Sequence, residues 1–201
     1  MAVARRLPEF PDGRRAVTAI WLLDFDGVIN AISDRGGRTY WDDWHSTVVA
    51  HPLGGVDRQG HPLRVPLLWS QSVVDTVTEA VAAGVDVRWL STWREYTAVL
   101  PAVIPGLPEL PFLDESLVGL RGPAPGEHNY SGPWKVDVAK AWVPDEVPLL
   151  WTEDSLGINL LSEMWRSSRR GPTTFIQPRT VTGLVQREIS EIREWIARHG
   201  H

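Results

Sequence analysis

Leu22-Leu23-Asp24-Phe25-Asp26-Gly27-Val28-Ile29-Asn30 is the stretch on which the fold turns. Its first two residues end a nearly continuous apolar run that begins at Val17, and a short apolar run closed by a turn reads as a buried β-strand. Two carboxylates, Asp24 and Asp26, stand where that strand ends, and Gly27 lets the backbone turn sharply just beyond them. A solvated turn or a calcium loop is the ordinary alternative for such a segment. The calcium alternative requires regularly spaced oxygen ligands downstream, and the sequence has none.

Working outward, apolar strands alternate with helical patterns. Val73, Val74, Val77 and Val81 recur at helical spacing after Ser72, with Asp75 three residues on and Gly84 as the stop, which predicts a helix capped by Ser72. Val85 to Leu90 reads as a second strand, and Arg94 to Val103 as helix up to Pro105. Leu110 to Leu113 reads as a short strand, and Gly119 to Pro133 as a loop rich in Gly, Pro, Asn and Ser. A short helix opens near Lys135 and runs through Trp142, and Val147 to Trp151 and Thr173 to Gln177 supply two more strands. Leu184, Val185, Ile189, Ile192, Trp195 and Ile196 then form one stripe of a C-terminal helix. This alternation predicts a Rossmann-like, three-layer α/β/α fold around a parallel sheet. Thr39 to Ala50 and Leu63 to Trp69, separated by Gly54, Gly55 and Gly60, interrupt the alternation and predict a β-hairpin flap within an insertion over about residues 31–69. Residues 1–16 read as a polar lead-in and residues 17–201 as one domain.

The 201 residues carry a net charge of -5, so nothing favours nonspecific binding to nucleic acid or an acidic membrane surface. With no cysteine, thiolate chemistry is excluded and any metal must be held by oxygen or histidine. No stretch approaches the roughly 18 uncharged residues that a membrane span needs, so no membrane partner and a cytoplasmic location are expected. His45, His51, His61 and His128 lack a paired ligand spacing, which argues against zinc. Arg166, Arg169 and Arg170 form a small basic cluster whose ordinary reading is a solvated helix end. Of the 11 tryptophans, Trp21, Trp89 and Trp151 lie inside strand runs and read as core. Trp41, Trp44 and Trp69 belong to the flap, and Trp93 and Trp134 abut candidate site residues, where one or more could stack on a substrate base.

In open α/β sheets ligands bind beyond the carboxyl ends of the strands. Asp24 and Asp26, Ser91 and Thr92, the region of Lys135, and Glu153 with Asp154 all fall at such ends. Together they offer a nucleophile, phosphate donors, a cation and metal ligands, the set that phosphoryl transfer uses.

The stretch from Leu22 to Asn30 resembles the first motif of the haloacid dehalogenase (HAD) superfamily. That resemblance implies that Asp24 is a nucleophile forming an aspartyl phosphate and that Asp26 is the acid and base serving it. Ser91 or Thr92 resembles the hydroxyl of the second motif, although a hydroxyl there also suits a helix cap, and Lys135 matches the third. Glu153 and Asp154 resemble the acidic pair of the fourth, where Asp-Asp is the commoner form, so the resemblance implies Mg²⁺ held by Asp24, Asp26, Glu153 and Asp154. Gly27, Asn30, Trp41, Thr92, Trp93 and Arg94 complete the set as substrate-binding candidates. Trp89 to Arg94, Gly106 to Pro108 and Pro133 to Lys135 further resemble the HAD domain of Swiss Army Knife RNA repair proteins. The implied activity is a phosphatase acting on a phosphorylated substrate, including nucleotides or RNA ends, without a large cap domain. The alternatives are a HAD-fold binding or regulatory module with weak catalysis, suggested by Glu153, and a phosphotransferase or mutase.

Overall fold

The first strand, β1 (Ile20–Leu23), is completely buried, and its neighbours explain why. In the computed structural model, which describes residues 18–51, 54–56, 58–120, 134–155 and 160–201, it lies inside a four-stranded parallel sheet. The other strands are β4 (Asp86–Trp89), β5 (Leu149–Thr152) and β6 (Thr173–Ile176), in the order β4-β1-β5-β6. Side chains alternate across a strand. Trp21 and Leu23 therefore join a core on one face with Val73 and Val77 of α2 (Gln71–Ala82) and Ile189, Ile192 and Trp195 of α6 (Gln186–His199). Ile20 and Leu22 face the opposite core, with Val136, Val138 and Ala139 of α4 (Trp134–Trp142). Trp21, Trp89 and Trp151 are core residues as expected, at most 1% exposed. The Trp21 indole N–H donates to Thr152 Oγ1 at 3.0 Å, which satisfies a polar group at no cost to packing.

Register positions the chemistry. Leu23 pairs with Trp89 on one side and Thr152 on the other, and Thr152 pairs with Ile176, so the strands end level. The ladder continues one step: Asp24 N donates to Thr152 O, Leu90 N to Leu23 O and Glu153 N to Ile176 O. Residues 24, 90 and 153 thus leave the sheet along a single edge.

The hairpin is present as β2 (Trp44–Ala50) paired antiparallel with β3 (Arg64–Ser70). Its base is tied down, with Leu67 and Trp69 buried in the core and Ala31 N donating to Leu68 O. Three expectations are corrected. Ser72 does not cap α2, which starts one residue before it. The carboxylate of Asp43 accepts from Ser70 Oγ, Ser72 N and Ser72 Oγ, each at 2.6 Å, and so caps the helix from a distance in sequence. Leu110 to Leu113 makes only a single bridge, Trp89 with Phe112, because Pro111 has no N–H to extend a ladder. Arg94 to Val103 is divided into a 3-10 helix, Arg94–Val99, and a short α3, Leu100–Val103. Short helices also form at α1 (Asp34–Arg38), α5 (Leu160–Ser168) and, as a 3-10 turn, Glu115–Val118. The expected lead-in and most of the expected loop before Lys135 lie outside the described residues. Among the described residues no helix is long and apolar enough to cross a membrane.

Candidate active site

At the carboxyl edge of β1, Asp24 is 5% exposed, and Oδ1 accepts from its neighbour Phe25 N at 2.7 Å. Its other oxygen, Oδ2, accepts from Lys135 Nζ at 2.7 Å. The same ammonium donates to Glu153 Oε2 at 2.5 Å, so Lys135, from the first turn of α4, bridges the ends of two adjacent strands. Glu153 is also held from behind, since Ser155 Oγ donates to its Oε1 at 2.8 Å.

Burial and the facing Asp24 carboxylate push the Glu153 carboxyl up to about 8, against the opposing charge of Lys135. Burial alone would lower the Lys135 ammonium, but Asp24 and Glu153 outweigh it and raise it. Lys135 is therefore a fixed positive charge. Asp24, Glu153 and Asp154 each present one oxygen such that all three lie within 4.8 Å of one another. Two of these carboxyl groups, Asp24 and Glu153, share the Lys135 ammonium, and a hard cation suits the all-oxygen donor set of the three. Gly27 makes the cluster compact. Its φ of 72° favours glycine, and a Cβ there would lie 2.2 Å from Asp154 Oδ2.

Asp26 is not among those three. Its Oδ1 accepts from Asn30 Nδ2 at 2.6 Å and its Oδ2 from the Trp93 indole N–H at 2.8 Å. Burial raises the Asp26 carboxyl above the usual range and the Asp24 charge adds to this, while the bonds from Asn30 and Trp93 oppose it. Asn30 faces two ways, because its Oδ1 accepts from Leu68 N of β3 at 2.8 Å.

The β4 exit carries Ser91, 1% exposed, and Thr92, half-buried. Among the described residues Ser91 Oγ accepts one long bond, 3.4 Å, from Trp93 N, and the 3-10 helix that follows has no side-chain cap. Arg94 has φ 49°, the one positive value for a non-glycine among the described residues, a conformation costing on the order of 1–2 kcal/mol. Its guanidinium is occupied: it pairs with the buried Glu115, donates to Thr92 O at 2.9 Å and lies 5.3 Å over the Trp134 ring. Trp41 is a core residue, its indole N–H donating to Leu184 O at 3.0 Å.

The structure therefore brings together Asp24, Lys135, Glu153 and Asp154, with Gly27 beneath them. Asp26, Asn30 and Trp93 form a linked second group, and Arg94 and Trp41 are turned to other partners. Glu115 and Ser155 were not anticipated. Ser155 was within reach of local reasoning, two residues past Glu153, whereas nothing local marks Glu115 as the partner of Arg94.

No protein-family description matches the chain, and no curated protein does. Among solved structures it resembles the HAD domain of the effector protein Lem4 from Legionella pneumophila, with a TM-score of 0.51 at 14% identity over 92% of this chain and 96% of that one. At that identity the likeness speaks to fold alone, and with the parallel sheet and its flanking helices it makes this fold HAD-like.

Proposed function

We propose that the chain is a Mg²⁺-dependent phosphatase that hydrolyses phosphomonoesters through phosphorylation of Asp24. The observation that carries this reading is the Lys135 ammonium shared between Asp24 and Glu153, beside Asp154, at the carboxyl edge of a parallel sheet. Asp24, Glu153 and Asp154 would hold the ion, and when bound it supplies positive charge to offset the phosphoryl oxygens.

In the first step an Asp24 oxygen attacks phosphorus, the bond to the leaving oxygen breaks, and Asp26 gives that oxygen its proton. In the second, Asp26 takes a proton from water as the water oxygen attacks phosphorus, and the bond to Asp24 breaks to release phosphate. Lys135 orients Asp24 and neutralises charge on the transferring group. The hydroxyl of Ser91 or Thr92 donates a hydrogen bond to a phosphoryl oxygen. The test is hydrolysis of p-nitrophenyl phosphate with Mg²⁺ or with chelator. Chelation should abolish turnover, and Asp24→Asn should lower kcat by at least about 10³-fold. Turnover that survives Asp24→Asn would remove Asp24 as nucleophile.

A further inference from the structure

Asp26 has a donor on each oxygen, and neither donor can exchange roles. The Trp93 indole nitrogen only donates. The Asn30 amide has both an acceptor and a donor side, but its orientation is determined: Oδ1 faces the Leu68 N–H and Nδ2 faces Asp26, and a flip would set like against like at both contacts. Both donors are themselves rigid. Trp93 is 5% exposed, with its ring edge-on to Phe25 at 4.9 Å, and the Asn30 backbone closes the turn through Gly27 N to Asn30 O at 2.7 Å and Asn30 N to Phe25 O at 2.9 Å.

We infer that Trp93 and Asn30 are positioning residues for Asp26, and that they act through its carboxyl group without touching substrate. With each oxygen tied to a donor, rotation about the Cβ–Cγ bond is blocked, so the Asp26 proton can sit only on a lone pair left free and points in a fixed direction. The β3 strand of the hairpin takes part through its Leu68 N–H, so the hairpin serves as a brace for the acid. Such preorganisation is worth most where proton transfer is hardest. The inference rests on the phosphatase reading above.

An alkoxide leaving group requires a proton as its bond to phosphorus breaks, whereas p-nitrophenolate departs without one. Because Asp26 also serves the second step, which is common to both esters, the experiment compares kcat/KM, which reports the first, for 2-glycerol phosphate and p-nitrophenyl phosphate in wild type, Trp93→Phe, Asp26→Asn and the double variant. Trp93→Phe keeps a ring against Phe25 and removes the N–H. It should lower kcat/KM on the alkyl ester about tenfold or more beyond its effect on the aryl ester, within the range of general acid catalysis. In the Asp26→Asn background the same substitution should have no further effect. Equal losses on the two esters, or an effect that persists without Asp26, would overturn the inference. If Trp93→Phe does not fold, benzothienylalanine at position 93 exchanges only the N–H for sulfur and is read in the same way. Asp24→Asn separates the two failures. Turnover that survives it overturns the phosphatase reading and this inference together, whereas loss of turnover in Asp24→Asn with an unchanged ester ratio in Trp93→Phe overturns this inference alone.

Discussion

Position 27 is a glycine for two reasons at once, its left-handed backbone and the Asp154 carboxylate pressed against it. Gly27→Ala should therefore strain the turn and push Asp154 out of the acidic group, weakening Mg²⁺ binding about tenfold or more by calorimetry, as disturbing the support of a metal site does. Affinity equal to wild type would show that Asp154 does not need that space. Glu115 holds Arg94 in its unfavourable backbone conformation, and both side chains are largely buried. Glu115→Ala leaves the guanidinium without its partner and should cost about 3 kcal/mol in chemical denaturation; a loss under about 0.5 kcal/mol would mean that Arg94 finds solvent instead. Asp24, Glu153 and Asp154 were legible in the sequence because each follows an apolar run that ends at one edge of a parallel sheet, and Lys135 because it opens a helix at a place that resembles the third HAD motif. Glu115 with Arg94, and the Leu68 amide with Asn30, were not, since those pairs exist only once distant segments have folded together.

Among the elements, β1, β5 and α6 follow directly from apolar periodicity, and the hairpin from two β-prone runs around glycines. Helix α1 was not legible. It contains Gly36 and Gly37, poor helix formers, and it exists because Ser33 caps it and because the missing side chain at Gly37 leaves room for the Trp44 ring. The start of α2 departs from the local pattern for a related reason: its cap, Asp43, comes from the segment before β2. Asp43→Ala should destabilise the protein by about 1 kcal/mol, the usual worth of a lost cap, while Ser72→Ala costs less. The reverse order would restore Ser72 as the cap. Capping by Asp43 also ties the entrance of the hairpin to a core helix. Together with the Leu68 bonds to Asn30 and Ala31, it makes the base of the hairpin a fixed part of the fold.

At the scale of the whole molecule, the site trades stability for charge. The Glu153 carboxyl lies near 8 in the fold against 4.5 when exposed, so folding takes up a proton between those values. Its contribution to stability is complete below 4.5 and is lost as pH rises through about 8, and Asp26, also raised, acts in the same direction. Asp34, Asp43 and Asp145 are shifted down from 3.8 and act only at lower pH. Metal-free protein should thus melt at a lower temperature at pH 8 than at pH 5, and Glu153→Gln should flatten that slope. Added Mg²⁺ should restore the wild type at pH 8 more than the variant, because only the former offers the full set of carboxylates. A metal-free melting temperature that is level or rising over this range would show that Glu153 is ionised in the fold. The central claim, that Asp24 accepts a phosphoryl group beside a cation held by Glu153 and Asp154, is tested most directly by a crystal structure with Mg²⁺ and beryllofluoride. The account predicts beryllium bonded to an Asp24 oxygen, a fluoride within reach of Lys135 Nζ, and Mg²⁺ coordinated by Asp24 and at least one of Glu153 and Asp154. Beryllofluoride bound elsewhere, or Mg²⁺ away from these carboxylates, would contradict it.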